Sequence, residues 1–295
     1  MKRILKRVGV VTIVLLFSIA VLAWLILSFV LIRPSSYQPD SIITVDLLDW
    51  EEHDKIYQAS EFPWIQSYAP EGKGALEYVG ALHTSDAQHP QLSEIESRWK
   101  DFKPTVAFCE GRKRMYRFAS RNESGTLSES DLVRILAYRD GVELYTLEPT
   151  YEEEVAGLLK HFDPTMVAAY MTIRVYSAEA KGVPKNQQDG LAFGLLKKRT
   201  NVEGLAGSLN SVEALDEFWK KTFPDAKNWR VLSSPDQVPQ LRHVGDVSRE
   251  VRGRHMVSCL VDLVNKGERV FAVVGASHVI RQHRAIQQLV IGTNQ

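Results

Sequence analysis

Short apolar segments alternate with amphipathic segments along most of the chain, and this alternation limits the fold more than any other feature of the sequence. ALEYVG (75–80) and TVAFCEG (105–111) have the length and composition of strands, and residues 90–102 between them show helical spacing behind a proline. Because parallel neighbours need a crossover, this pattern predicts an α/β fold with a largely parallel sheet flanked by helices. The predicted elements are strands over 75–80, 105–111, 141–149 and 269–279 and helices over 90–102, 128–140, 151–162, 163–180 and 252–267.

The N-terminal segment is long and apolar enough to cross a membrane. Residues 8–32 carry no charge, and these 25 residues would extend roughly 37 Å as a helix, against about 30 Å of bilayer hydrocarbon. Four lysine and arginine side chains precede the segment and only Arg33 follows it closely, so the positive-inside rule keeps the N-terminus in the cytoplasm. A cleaved signal peptide is the alternative, but the apolar run is longer than usual and no small-x-small site closes it.

These features predict how the chain is organised. Residues 1–32 form a basic cytoplasmic stub and a transmembrane anchor, 33–41 form a short extended tether, and 42–295 form an extracytoplasmic α/β domain, periplasmic in a bacterium. A helical insert is expected over about 182–244, either packed as core or acting as a lid over the sheet edge. Trp219 and Trp229 in this insert are candidates for ligand anchors or for packing.

Charge and cysteine content exclude some functions and leave others open. The formal net charge is zero and no basic stripe is evident, which argues against a nucleic-acid partner. Cys109 and Cys259 are the only cysteines, so the chain has neither a disulfide scaffold nor a CxxC metal knuckle. One bridge between them and two buried thiols are equally compatible with the sequence.

The same short motif follows the first and the last predicted strands. VGALH ends at His83 and VGASH ends at His278, so each strand leads to glycine, two small or apolar residues and histidine. Open α/β sheets bind ligands beyond the carboxyl ends of their strands, and glycine allows a tight turn or a close approach there. Two further strands end in the carboxylates Glu110 and Glu148. We therefore expect four candidate groups to converge on one edge of the sheet.

Two imidazoles and a carboxylate form a donor set for a divalent ion. Zinc, manganese, cobalt and iron all accept such ligands with positions left open for water, and a bound ion lowers the pKa of that water and polarises a carbonyl. The alternative is that each histidine is a hydrogen-bonded turn residue and each glutamate a solvated strand end. The sequence contains no HExxH, P-loop or GxGxxG motif, and GASHV matches only half of a nucleophile elbow around Ser277.

The motifs together resemble a known family. The paired GALH and GASH motifs, the KPTVAFCEG strand and VRGRHM ahead of the last strand look like the TraB/GumN/Tiki group, within the superfamily that includes erythromycin esterases and ChaN-like haem-binding proteins. The likeness runs over about 77–279, although its distinctive parts are short. It implies an α/β fold and, by analogy with the Tiki members, a membrane-tethered, metal-dependent protease.

The resemblance also implies roles for particular residues. His83, Glu110 and His278 match the proposed active-site residues of the group and would form the metal or catalytic set. Arg252 matches the arginine of an RDxxM-like motif and would stabilise an oxyanion or hold the carboxylate in place. Gly253 stands where that motif often has an acid, so the chain departs from the pattern at this point.

The sequence therefore predicts a single-pass membrane protein whose extracytoplasmic domain is a metal-dependent hydrolase of a peptide or amide bond. His83 and His278 bind the divalent ion, Glu110 is a ligand or the general base, and Arg252 and Glu148 support them. The partners expected are the membrane and a peptide or small-molecule substrate. The alternatives are a non-enzymatic binding protein for haem, iron or another small ligand, and a regulatory domain that sequesters a peptide signal.

Overall fold

The computed structural model describes residues 17–19, 21–22, 31–112, 115–116 and 126–292, and the chain divides into two compact units. The first unit comprises Met1–Glu148 and Val257–Gln295. The second unit comprises Pro149–Met256 and includes the predicted insert over 182–244.

A six-stranded, mostly parallel sheet forms the centre of the first unit, which confirms the predicted α/β fold. The strands of the described chain are β1 (Leu31–Ile32), β2 (Ser35–Ser36), β3 (Trp64–Tyr68), β4 (Ala75–Ala81), β5 (Val106–Cys109), β6 (Met115–Tyr116), β7 (Glu143–Thr146) and β8 (Arg269–Gly275). The strand order of the sheet is β2-β7-β5-β8-β4-β3, with four parallel pairings and the antiparallel strand β3 at one edge. Strands β1 and β6 form a separate antiparallel pair.

Helices flank this sheet. They are α1 (Trp50–Ala59), α2 (Pro90–Phe102), α3 (Glu129–Asp140) and α9 (Ala276–Val290). Helices α2 and α3 share a buried core with the central strands, in which Trp99 packs edge-on against Phe271 at 5.2 Å between ring centroids. Helix α9 contacts β3, β4, β8 and α1. The apolar strands therefore bury their side chains against helices, as parallel sheets require.

Capping residues set where the predicted helices begin and end. Helix α2 spans the predicted residues 90–102, with Pro90 in its first turn and Lys103 in the left-handed conformation after its last residue. Ser128 is the N-cap of α3 and forms a capping box with Asp131, so this helix begins one residue later than predicted. Gly141 ends α3 with a φ of 68°.

The last strand is shorter than predicted. The apolar pattern suggested a strand over 269–279, but β8 ends at Gly275 and α9 begins at Ala276. His278 therefore lies in the first turn of a helix. The absence of a side chain at Gly80 permits this arrangement, because a Cβ there would lie 2.9 Å from the Cα of Ala276.

The segment predicted as a tether is part of the folded unit. Ser35 and Ser36 add β2 to the edge of the sheet beside β7, and the Tyr37 hydroxyl donates to Asp262 Oδ2 at 2.6 Å. Tyr37 also packs edge-on against Tyr145 at 5.2 Å. The structure differs from the prediction because the sequence pattern of this segment does not show which edge strand it can pair with.

The predicted membrane span over 8–32 lies largely outside the described residues. Its last two residues, Leu31 and Ile32, form β1. Within the parts of the chain that the structure describes, no helix is long and apolar enough to cross a membrane.

The second unit is helical. Its helices are α4 (Tyr151–Leu158), α5 (Pro164–Glu179), α6 (Lys185–Thr200), α7 (Val212–Thr222) and most of α8 (Pro239–Asn265), with 3-10 turns at Trp229–Val231 and Pro235–Gln237. Trp219 and Trp229 are buried in its core, which favours packing over ligand anchoring for both. Trp229 packs edge-on against Tyr176 at 4.9 Å and donates to Asp216 at 2.8 Å.

Both cysteines are buried thiols, which is the second of the two alternatives that the sequence left open. Cys109 is the last residue of β5, and Cys259 lies in α8. Burial raises the pKa of the Cys109 thiol to about 11, so this group stays protonated at neutral pH.

Candidate functional site

Three neighbouring central strands deliver the two histidines and one glutamate to the same edge of the sheet. Strand β8 lies between β4 and β5, and all three run parallel. His83 follows β4, Glu110 follows β5 directly, and His278 lies three residues after β8. The expected convergence therefore occurs for these three residues, because parallel strands place their carboxyl ends at one edge.

Glu110 lies between the two imidazoles. Its Oε1 is 3.6 Å from Nε2 of His278, and its Oε2 is 4.0 Å from Nε2 of His83. The backbone N–H of Gly275 donates to Oε2 at 2.9 Å. The side chains of Glu110 and His278 are 21% and 25% exposed, whereas that of His83 is 69% exposed. The partly buried carboxylate of Glu110 thus has one oxygen near Nε2 of each histidine.

The charges in this cluster support one another. Burial by itself would raise the pKa of Glu110, but its interaction with His278, the Gly275 N–H and the charge of His83 together lower it to about 2. The pKa of His83 is raised, chiefly by its hydrogen bond to Glu129; burial opposes this, and the charge of Glu110 adds to it. The carboxylate of Glu110 is therefore ionised throughout the physiological range.

Glu129 belongs to this site and was not predicted from the sequence. Its Oε1 lies 2.6 Å from Nδ1 of His83, and its side chain is 4% exposed. The Thr84 backbone N–H approaches its other oxygen at 3.5 Å. The only sequence indication was its position in the first turn of a helix that follows a strand ending in Glu110.

The backbone beside His83 is held by its neighbours. The buried Gln91 side chain accepts from the Leu82 N–H at 3.0 Å and donates to the Leu82 carbonyl at 2.6 Å. The Leu127 N–H donates to the carbonyl of Ser85 at 3.1 Å. The loop carrying His83 is therefore joined by hydrogen bonds to the start of α2 and to the segment that enters α3.

Gly275 leaves room for the site. A Cβ on this residue would lie 2.9 Å from Nε2 of His83 and 3.5 Å from Oε2 of Glu110. Its φ of −58° is accessible to any residue, so conformational freedom does not explain the glycine. The lack of a side chain lets the imidazole and the carboxylate lie directly against the backbone.

A cavity of about 360 Å³ opens beside His83. It is lined by Glu110, Glu129 and hydroxyl residues around the start of α3, including Ser128, and by Arg134. The buried Arg134 donates to the Glu110 carbonyl at 3.1 Å, which supports the backbone at the end of β5. A space of this volume is within the range of small-ligand sites.

Membership of the site stays a prediction for Glu148 and Arg252. Glu148 follows β7, the strand beside β5, and its carbonyl accepts from Arg112 at 3.1 Å. The cavity lining includes neither Glu148 nor His278. Arg252 lies in α8 within the second unit. There, burial would raise the pKa of Glu154, but Arg174 and, more weakly, Arg252 lower it.

The donor types fit a divalent ion, but their spacing is wider than that of a formed metal site. Two imidazole Nε2 atoms face one carboxylate, and a second carboxylate holds Nδ1 of His83, as is usual for histidines that bind metals. Over the described part of the chain, no group of three or more His, Cys, Asp or Glu side chains is arranged to hold a metal ion. Small side-chain movements would be needed to bring the three donors onto one ion.

No protein-family model, curated protein or solved structure matches this chain. The likeness to the TraB/GumN/Tiki group therefore stays a prediction from short motifs. The geometry of His83, Glu110, Glu129 and His278 is what indicates a function.

Acid will remove a contribution of Glu110 to folding stability. The pKa of this carboxyl is about 2 in the folded chain, against an ordinary value of 4.5. Its contribution is therefore complete above pH 4.5 and lost as the pH falls through 2, and it amounts to at most about 3 kcal/mol. Urea unfolding at a series of pH values should show that the advantage of wild type over Glu110→Gln shrinks in this window. An advantage that stays constant there would contradict the low pKa.

Proposed function

We propose that the chain is a divalent-metal-dependent hydrolase of a peptide or amide bond, of the TraB/GumN/Tiki type and anchored in the membrane by residues 8–32. The observation that supports this most is the Glu110 carboxylate, which faces Nε2 of His83 and Nε2 of His278 at 4.0 and 3.6 Å. These three donor side chains follow three adjacent parallel strands, and ligand sites of open α/β sheets lie at this edge.

In this proposal His83 Nε2, His278 Nε2 and the Glu110 carboxylate hold the ion. When bound, a divalent ion lowers the pKa of its water and polarises the carbonyl to be attacked. General base is the other role predicted for Glu110.

The remaining residues shape the site around these donors. Gly275 holds one oxygen of Glu110 through its N–H, and Arg134 holds the carbonyl of the same residue. The cavity beside His83 could admit a side chain or a short peptide segment, and its hydroxyl-rich lining can hydrogen-bond to an amide.

Metal content tests the proposal directly. We would purify the full chain in detergent, incubate it with manganese, cobalt, zinc or iron, and measure bound metal by mass spectrometry. A stoichiometric ion should be present in wild type and lost in His83→Ala, His278→Ala and Glu110→Gln. His161→Ala, which changes a histidine of the second unit, is the matched control and should retain it. The metal-loaded chain should then cleave members of a peptide library, and a chelator should stop it.

Two outcomes would overturn the proposal. If wild type holds no metal after all four incubations, the histidines are turn residues or contacts for an organic ligand, and the metal-dependent hydrolase is wrong. Bound metal without cleavage of any peptide or amide would favour the binding protein, which uses the same cavity without turnover.

A further inference from the structure

The two ring nitrogens of His83 face two different carboxylates. Nε2 faces Glu110 across 4.0 Å, and Nδ1 contacts Glu129 at 2.6 Å. The shorter contact is a hydrogen bond, whereas the longer one leaves Nε2 open to another partner. The chemistry of His83 therefore depends on which nitrogen carries the proton.

The Glu129 carboxylate is the fixed member of this pair. Its side chain is 4% exposed, against 69% for His83. Glu129 is the first residue of α3, directly after the N-cap Ser128, whose capping box with Asp131 defines the start of the helix. An exposed imidazole that meets a buried, helix-mounted carboxylate is oriented by that carboxylate, because the ring alone could adopt other rotamers.

The contact also bears on the position of the proton. A carboxylate oxygen acts as the acceptor of a hydrogen bond, so the 2.6 Å contact calls for a proton on the nitrogen. Nδ1 of neutral His83 must then be the protonated nitrogen, and Nε2 keeps its lone pair.

We propose that Glu129 is a positioning residue, which holds His83 in the tautomer protonated on Nδ1 and so directs the lone pair of Nε2 toward Glu110. The use of that lone pair for an ion rests on the proposed function, whereas the tautomer itself does not. Outer partners of this kind typically change metal affinity by about 10- to 100-fold when they are removed.

The tautomer can be measured on the full chain without metal. We would label its histidines with ¹⁵N and record long-range ¹H–¹⁵N spectra in detergent at alkaline pH, where His83 is neutral, assigning its signals by their loss in His83→Gln. Wild type should show a protonated Nδ1 and an unprotonated Nε2. In Glu129→Ala the proton should be shared between the two nitrogens. Glu129→Gln offers an NH2 donor as well as an oxygen acceptor, so it should no longer confine the proton to Nδ1, which gives a second readout should the alanine variant fold poorly.

Glu152→Ala is the matched control. It removes an exposed glutamate from the first turn of α4 and should leave the His83 signals unchanged. A wild-type ring protonated on Nε2, or a Glu129→Ala ring with the wild-type tautomer, would overturn the assignment. Because these spectra need neither metal nor substrate, a failure of the hydrolase proposal would not alter them. If wild type binds metal, Glu129→Ala should bind it about 10- to 100-fold more weakly.

Discussion

Replacing Gly275 by alanine will separate His83 from Glu110 and leave the chain folded. The new Cβ would lie 2.9 Å from Nε2 of His83, closer than such contacts occur, and 3.5 Å from Oε2 of Glu110. The His83 ring is largely exposed and can rotate away from the new methyl group. The substitution should therefore disturb the arrangement of the site and change the free energy of unfolding little. Alanine keeps the N–H that binds Glu110. If the proposed metal site exists, its affinity should fall by about 100-fold, the upper end of the effect of disturbing ligand orientation.

Gly80→Ala is the matched comparison, because Gly80 occupies the same position in the other GxxH motif. Its Cβ would meet the backbone, at 2.9 Å from the Ala276 Cα and 3.1 Å from the Trp64 carbonyl oxygen. Backbone cannot move aside as the His83 ring can, so this variant should lose about 3 kcal/mol of folding stability. Urea unfolding would measure the loss of folding stability in each variant, and the NMR signals of His83 would report displacement of its ring. Equal losses of stability in the two variants would contradict this assignment of the glycines.

Replacing Glu154 by alanine will strongly destabilise the second unit. Arg174 donates to both oxygens of Glu154, at 2.7 and 3.3 Å, and the Ser248 hydroxyl donates at 2.5 Å. Truncating the acid leaves the guanidinium of Arg174 without this partner, which typically costs 3–5 kcal/mol for a fully buried pair. Because 30% of the Arg174 side chain is exposed, we expect about 3 kcal/mol.

Urea unfolding of Glu154→Ala measures this loss, and Glu152→Ala, an exposed glutamate of the same helix, is the control that should change little. The double variant Glu154→Leu, Arg174→Met should lose less than Glu154→Ala, because it removes both charges and refills the space. A loss below about 1 kcal/mol in Glu154→Ala, the range of surface ion pairs, would show that the pair is solvated.

The two GxxH motifs look equivalent in sequence and differ in structure. His83 lies in a loop after β4, held at one nitrogen by Glu129, whereas His278 lies in the first turn of α9. Gly80 makes room for backbone, and Gly275 makes room for an imidazole and a carboxylate. The repeated motif therefore predicted that the two histidines lie at the same edge of the sheet, and it did not predict the different surroundings of each.

Local pattern was enough to predict the α/β class and the convergence of three groups. Apolar periodicity depends on which side chains a strand or helix buries, and this is a property of neighbouring residues. Parallel strands then place His83, Glu110 and His278 at one edge by their direction alone.

Only the tertiary structure decided which further groups join them. Strand β8 enters between β4 and β5, which sets Gly275 against His83, and α3 brings Glu129 to the same ring from 46 residues away. It also places β7, the strand before Glu148, directly beside β5 and adds Ser35 and Ser36 to the sheet. Strand order and contacts between distant segments decide these features. Both depend on which surfaces pack together in the folded chain, and a short stretch of sequence does not contain that information.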